Sequence, residues 1–287
     1  MTFKRLSFGF VISFLLTIDA SAQVSGVTYR RILLPVVVEV PVPGALGSLW
    51  RTDLGLTNAG PSPMWVYPIA HGPLCGNPVA CTFSDTRLPP GLTVRGTVYY
   101  FEQGTPPSNG VVLHAEDRYA DSLRVALRVL DVSRQAKSWG ASLPVVPENR
   151  FLSAVTLTSL PGDDPNFRVS LRIYSLMTDV TVQVDVQAFA INPFQDPIDG
   201  VQDISLGTTR FSLNLPADVG VGTGSQPPGS APSFLFIGDS KFVTGGKSTP
   251  RFRLEITSAT PGATIWAFAT ITNNDTQEVT VVAPAEH

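Results

Sequence analysis

Four stretches of this sequence carry side chains whose types and spacing could do chemistry. The densest is His114-Ala115-Glu116-Asp117-Arg118-Tyr119-Ala120-Asp121. In an extended chain His114 and Glu116 point to one face, and Asp121 could join them around a cation or as an acid–base set. The plainer reading is a solvated hairpin loop between strands at Val111–Ala115 and Leu123–Val132, and the pattern favours it. A second set is His71, Cys75 and Cys81, which include the chain's two cysteines. No fourth ligand is spaced to complete a zinc site, so a Cys75–Cys81 disulfide is expected, worth roughly 2 kcal/mol for so short a loop.

Gly245-Gly246-Lys247-Ser248-Thr249 invites comparison with a phosphate-binding loop. Lys241 stands where the first glycine belongs, and Pro250 blocks the helix that should follow, so the comparison fails. Trp65 and Tyr67 lie two residues apart on one strand. Facing outward they would form an apolar platform for a sugar ring; facing inward they are core.

Little else invites catalysis. The histidines are His71, His114 and His287, and neither a Gly-x-Ser-x-Gly elbow nor a His-Glu-x-x-His helix occurs. Carboxylate pairs for glycoside hydrolysis depend on a separation that only the fold sets, so a hydrolase with an unrecognised site stays open as an alternative. No catalytic residue, metal ligand or cofactor is assigned.

The elements that must position these residues read as strands. In Trp50-Arg51-Thr52-Asp53-Leu54-Gly55-Leu56-Thr57-Asn58, Trp50, Thr52, Leu54 and Leu56 share one face, while Arg51, Asp53 and Thr57 share the other. That alternation marks a half-buried antiparallel strand. The pattern returns at Phe167-Arg168-Val169-Ser170-Leu171-Arg172-Ile173-Tyr174-Ser175, with Phe167, Val169, Leu171 and Ile173 inward. Upstream, Arg31-Ile32-Leu33 matches Arg150-Phe151-Leu152, and Gly44 matches Gly162. Two single-residue gaps superpose the copies, the sign of an internal duplication. Val180, Val182, Val184, Val186 and Ala188 form another inward row. Leu33 to Val42, broken by Pro35 and Pro41, reads as an edge strand or one that switches sheets. Its edge would suit strand addition by a partner.

With 25 prolines and 24 glycines placed between alternating runs, the chain is expected to be all-β: two tandem antiparallel β-sandwich domains of immunoglobulin-like type, at 23–147 and 148–287. The junction of Pro147 to Asn149 predicts a stiff tandem. Residues 1–22 carry Lys4-Arg5, an apolar run from Leu6 to Leu16, and Ala20-Ser21-Ala22, the order of a secretory signal peptide. Cleavage after Ala22 would leave no transmembrane segment. The net charge of −3 provides no footprint for nucleic acid or anionic membrane.

Trp50-Arg51-Thr52-Asp53-Leu54 followed by Asn58, the Pro90-Gly91-Leu92-Thr93 turn, and the closing approach to Gly140 and Pro147 together resemble an uncharacterised module of exported bacterial proteins. The resemblance implies an exported, all-β tandem and assigns no catalytic residue. It is weaker in the second half, where Phe167 and Ser170 replace the tryptophan and aspartate. The expected role is a non-enzymatic structural or protein-interaction module at or outside the cell surface (extracellular, surface-bound or periplasmic). The alternative is a carbohydrate-binding module using Trp65 and Tyr67 on a surface polysaccharide.

Overall fold

The computed structural model describes residues 28–38, 41–68, 86–96, 110–133, 139–177, 179–191, 203–214, 232–239 and 241–284. The expected signal peptide and both cysteines lie outside these residues. In chain order the first ten strands are β1 (Tyr29–Leu34), β2 (Val42–Pro43), β3 (Leu49–Asn58), β4 (Met64–Pro68), β5 (Thr86–Leu88), β6 (Thr93–Gly96), β7 (Val111–Glu116), β8 (Leu123–Asp131), β9 (Trp139–Leu143) and β10 (Val146–Pro147). The remainder are β11 (Ala154–Pro161), β12 (Phe167–Ser175), β13 (Gln183–Ala190), β14 (Ile204–Ser212), β15 (Ser233–Ile237), β16 (Arg251–Ser258), β17 (Trp266–Asn273) and β18 (Val279–Val282). The α-helices among the described residues are one-turn α1 (Asp117–Ala120) and α2 (Lys241–Thr244).

These strands form four antiparallel sheets, packed face to face as two sandwiches. One sandwich joins β10-β1-β7-β4-β5 to β2-β3-β8-β9, with β6 also on β3. The other joins β11-β16-β13-β14 to β15-β12-β17-β18. Without β2 and β10, the two halves share one strand order. β1-β7-β4-β5 matches β11-β16-β13-β14, and β6-β3-β8-β9 matches β15-β12-β17-β18. The two alternating runs compared above, β3 and β12, occupy the same place in this order.

Alternation decides which residues fill the cores. Along β3, Thr52, Leu54, Leu56 and Asn58 are buried and Trp50 is half-buried; along β12, Val169, Leu171 and Ile173 are buried. Phe167, expected inward, is 37% exposed, because it begins β12 beyond the reach of the packed sheets. Val180 is also exposed, outside β13, whereas Val182, Val184, Val186 and Ala188 are fully buried. Of the two readings of the proline-broken run, the sheet switch holds. β1 is an interior strand, Val36–Val38 cross buried between sheets, and β2 joins the opposite sheet. The Val38 amide donates to Thr52 Oγ1 (2.8 Å), and the Thr52 amide donates to the Val38 carbonyl (2.8 Å). Leu33, Leu34 and Val36–Val38 are buried, and the edge that remains in this segment is the two-residue β2, at the end of its sheet.

The sandwiches are fused along one flank. Tyr174, Trp266 and Phe268, from β12 and β17, are buried and belong to the same apolar cluster as Leu34, Val111 and Leu113 of the first half. Their rings lie 5.4 to 6.4 Å apart, the spacing of favourable aromatic packing. The Tyr174 hydroxyl donates to the Pro35 carbonyl. Phe234 and Val281 also pack on the first cluster, while Val282 packs on the second.

Candidate functional site

Only the second half of the polar segment, with Asp117, Arg118 and Asp121 exposed, is solvated as expected; His114 to Glu116 are buried. β7 runs through Glu116 with every residue buried, and the one-turn helix α1 follows. The pairing of β1 with β7 sets Tyr29 opposite Glu116 and Arg31 opposite His114, so two arginines from the start of the first sandwich enter the cluster.

Each acidic group there holds a cation. Arg30 donates to Asp121 (2.6 Å) and through two nitrogens to Asp117 (2.9 and 3.2 Å). The hydrogen bond that Arg30 donates to Asp121 is the largest influence raising the Arg30 pKa above its ordinary value. Glu116, nearly buried, accepts from Arg118 (2.6 Å), whose guanidinium lies 4.6 Å from the centre of the Tyr119 ring. Arg31 donates to Glu148 (2.8 Å) and to the Leu176 carbonyl (3.1 Å), linking β1 to both the junction and the second sandwich.

His114 is buried, and its pKa falls to about 4, chiefly through burial and secondly through the Arg31 charge. It is therefore neutral at pH 7. The cation-centred reading of His114, Glu116 and Asp121 dissolves, because Glu116 goes to Arg118 and Asp121 to Arg30. Among the described residues no group of three or more His, Cys, Asp or Glu is placed to hold a metal. What the arrangement does chemically is charge pairing: it ties β1, α1 and the interdomain junction together. Sequence reading missed Arg30 and Arg31, since their partners lie some 90 to 145 residues away. The doublet at the mouth of an apolar run was the available signal.

The other candidates scatter. Trp65 and Tyr67 lie in β4, opposite Arg87 and His114 and alternating with buried Met64 and Val66; their side chains lie outside the described residues, as do His71, Cys75 and Cys81. Gly245 and Gly246 take left-handed conformations (φ 63° and 71°), and Lys247 Nζ donates to the Leu206 carbonyl (2.5 Å). This lysine anchors a turn to β14, in keeping with the rejected phosphate loop. No helix of the described residues is long and apolar enough to cross a membrane.

A matched pair of residues organises the strand ends instead. Asn58 is fully buried: Nδ2 donates to the carbonyls of Ser62 and Leu88, and Oδ1 accepts from the Gly60 amide, all at 2.8 Å. At the corresponding end of β12, Ser175 is fully buried, donates to the Thr264 carbonyl (2.8 Å) and accepts from the Met177 amide (3.2 Å). Each accepts from the amide two residues on, the Asx- or Ser-turn geometry. Compared with known proteins, the chain matches no family model, no curated sequence and no solved structure.

Proposed function

We propose that this chain is an exported, non-enzymatic structural or protein-interaction module, built as two tandem sandwiches at 23–147 and 148–287 behind a signal peptide at 1–22. One observation supports the reading: the buried Tyr174–Trp266–Phe268 seam, whose rings belong to the apolar cluster of the first sandwich. An apolar interface of this kind opposes relative motion of two domains, which suits a spacer or scaffold. The paired charges around Arg30 and Glu116 support the same reading, since they brace the frame. Kinship with the exported bacterial module, and descent of the two halves from one duplicated unit, belong to this proposal.

The test is fractionation of bacteria expressing all 287 residues. Recovery outside the cytoplasm, with Gln23 as the first residue, is the expected result. Full-length protein confined to the cytoplasm refutes export, and turnover across a panel of hydrolase substrates refutes the non-enzymatic role.

A second reading, polysaccharide binding, rests on Trp65 and Tyr67 alternating along β4 with the buried Met64 and Val66. Pull-down on insoluble polysaccharides tests it: binding should be lost in folded Trp65→Ala and Tyr67→Ala proteins. Retention of wild-type protein in the supernatant throughout removes it for the ligands tried.

A further inference from the structure

The ends of the described sheets are defended in different ways. β2 and β10 have two residues each and end in proline, and β5 has three. β15 has five. β11 breaks register between Leu157 and Leu160, where Ser159 has φ 60°, and ends at Pro161. β9 and β18 lie against each other across the junction. Short strands, bulges, prolines and covered edges are the standard means of preventing edge-to-edge association.

β14 departs from this. It is nine residues long and ends its sheet; its one register shift falls at Leu206, between Ser205 and Gly207 (φ 144°), and from Gly207 to Ser212 it pairs with β13 without a break. The Leu213 amide donates to the Val182 carbonyl. By the alternation of antiparallel ladders, Phe211 and Thr209 then bond to β13, while Thr208, Arg210 and Ser212 turn N–H and C=O outward. Among the described residues no strand pairs with that outer edge. Its one charge, Arg210, is already held by both oxygens of Asp185 (2.7 Å each), which lowers the aspartate pKa. Phe211 is half-buried, packed on the margin of the second core, and ready to be covered.

We propose that β14 is a self-association edge: two copies of this chain pair β14 against β14 antiparallel about a twofold axis at Thr209. The residues of β14 suit that register. Arg210 falls opposite the partner's Thr208, so the two guanidiniums do not meet. Phe211 falls opposite the partner's Gly207, whose missing side chain leaves room for the ring, and symmetry repeats the match. Ser212 falls opposite the partner's Leu206, whose carbonyl is occupied by Lys247, so pairing stops after the central residues. The contact is therefore short and the dimer concentration-dependent, below the area of permanent interfaces. The inference adds a partner to the proposed module and does not depend on export.

Sedimentation velocity of the purified protein, from low micromolar to near millimolar, tests it with three substitutions. Thr208→Glu places a carboxylate opposite the partner's Arg210 and should tighten dimerisation about 5-fold at low salt, from two symmetric cross-strand pairs. Thr208→Lys should weaken it by a similar factor, and high salt should shrink both effects. Thr208→Pro removes an N–H that β13 does not use and should abolish association while the fold persists. Slowed amide exchange at Thr208 and Arg210 with rising concentration would support the edge directly. A monomer at every concentration overturns the proposal. So does a shift in one direction for both charge variants, or a dimer that survives Thr208→Pro.

Discussion

His114 shows what a single buried group does to the whole. Its folded pKa of about 4 lies below the ordinary 6.5, so the unfolded chain takes up the proton first as pH falls. The stability it permits is full above pH 6.5 and declines between 6.5 and 4, by roughly 3 kcal/mol. Urea midpoints at pH 7, 5.5 and 4.5 should therefore fall for the wild type and fall markedly less for His114→Gln. Asn58 makes a separate case, because both its amide hydrogens and its oxygen are used. Asn58→Ala should cost about 3 kcal/mol and Asn58→Asp a comparable amount, since a carboxylate cannot donate to Ser62 and Leu88. Ser175→Ala, which strips the Thr264 carbonyl of its donor and the Met177 amide of its acceptor, should cost about 2 kcal/mol by the same urea titration. The pairing of Asn58 with Ser175 was legible as two ends of a repeated run. Their shared turn-forming role was not, since the side chains differ and only geometry equates them.

At the scale of elements, the repeated strand was legible because period-2 burial is local: Thr52, Leu54 and Leu56 keep their face whatever surrounds them. Threonine at position 52 answers to the buried crossing segment at Val38; in the half of Val169, its counterpart, the crossing from β11 to β12 at residues 162–166 is half-buried or exposed. The repeated glycine has a different cause in each copy, a sequence-distant backbone at Gly162 and nearby side chains at Gly44. A Cβ on Gly162 would sit 1.8 Å from the Thr249 carbonyl oxygen, whereas one on Gly44 would meet side-chain atoms, Ser48 Oγ at 2.3 Å and Trp50 Nε1 at 2.4 Å. Backbone yields less readily than side chains. Gly162→Ala should therefore lose about 3 kcal/mol and Gly44→Ala about 1 kcal/mol, readable as shifts in thermal midpoint. The failures at Phe167 and Val180 have one cause: alternation names a face but not where the opposing sheet ends.

At the scale of the molecule, the seam was the part least visible beforehand. Tyr174 follows the outward parity of Arg172 and Ser170, and only the arrival of the first sandwich turns that face inward. A short junction predicts a stiff tandem, and it does not point to the rings buried between the sandwiches. With the seam intact, calorimetry should record a single cooperative unfolding transition. Replacing Tyr174 and Trp266 together by alanine should split it into two, as the sandwiches lose their shared surface; one unsplit transition in that variant would show that the coupling lies elsewhere.

The final strand carries a consequence for how the chain comes into being. Val281 finishes the first apolar cluster and Val282, its neighbour, the second. A ribosome releases those two residues long after β1 to β10. The first sandwich therefore keeps part of its flank bare until β18 has been delivered. For such a protein the order of synthesis is the reverse of the order of completion, and the interval between them is when a chaperone would be most needed.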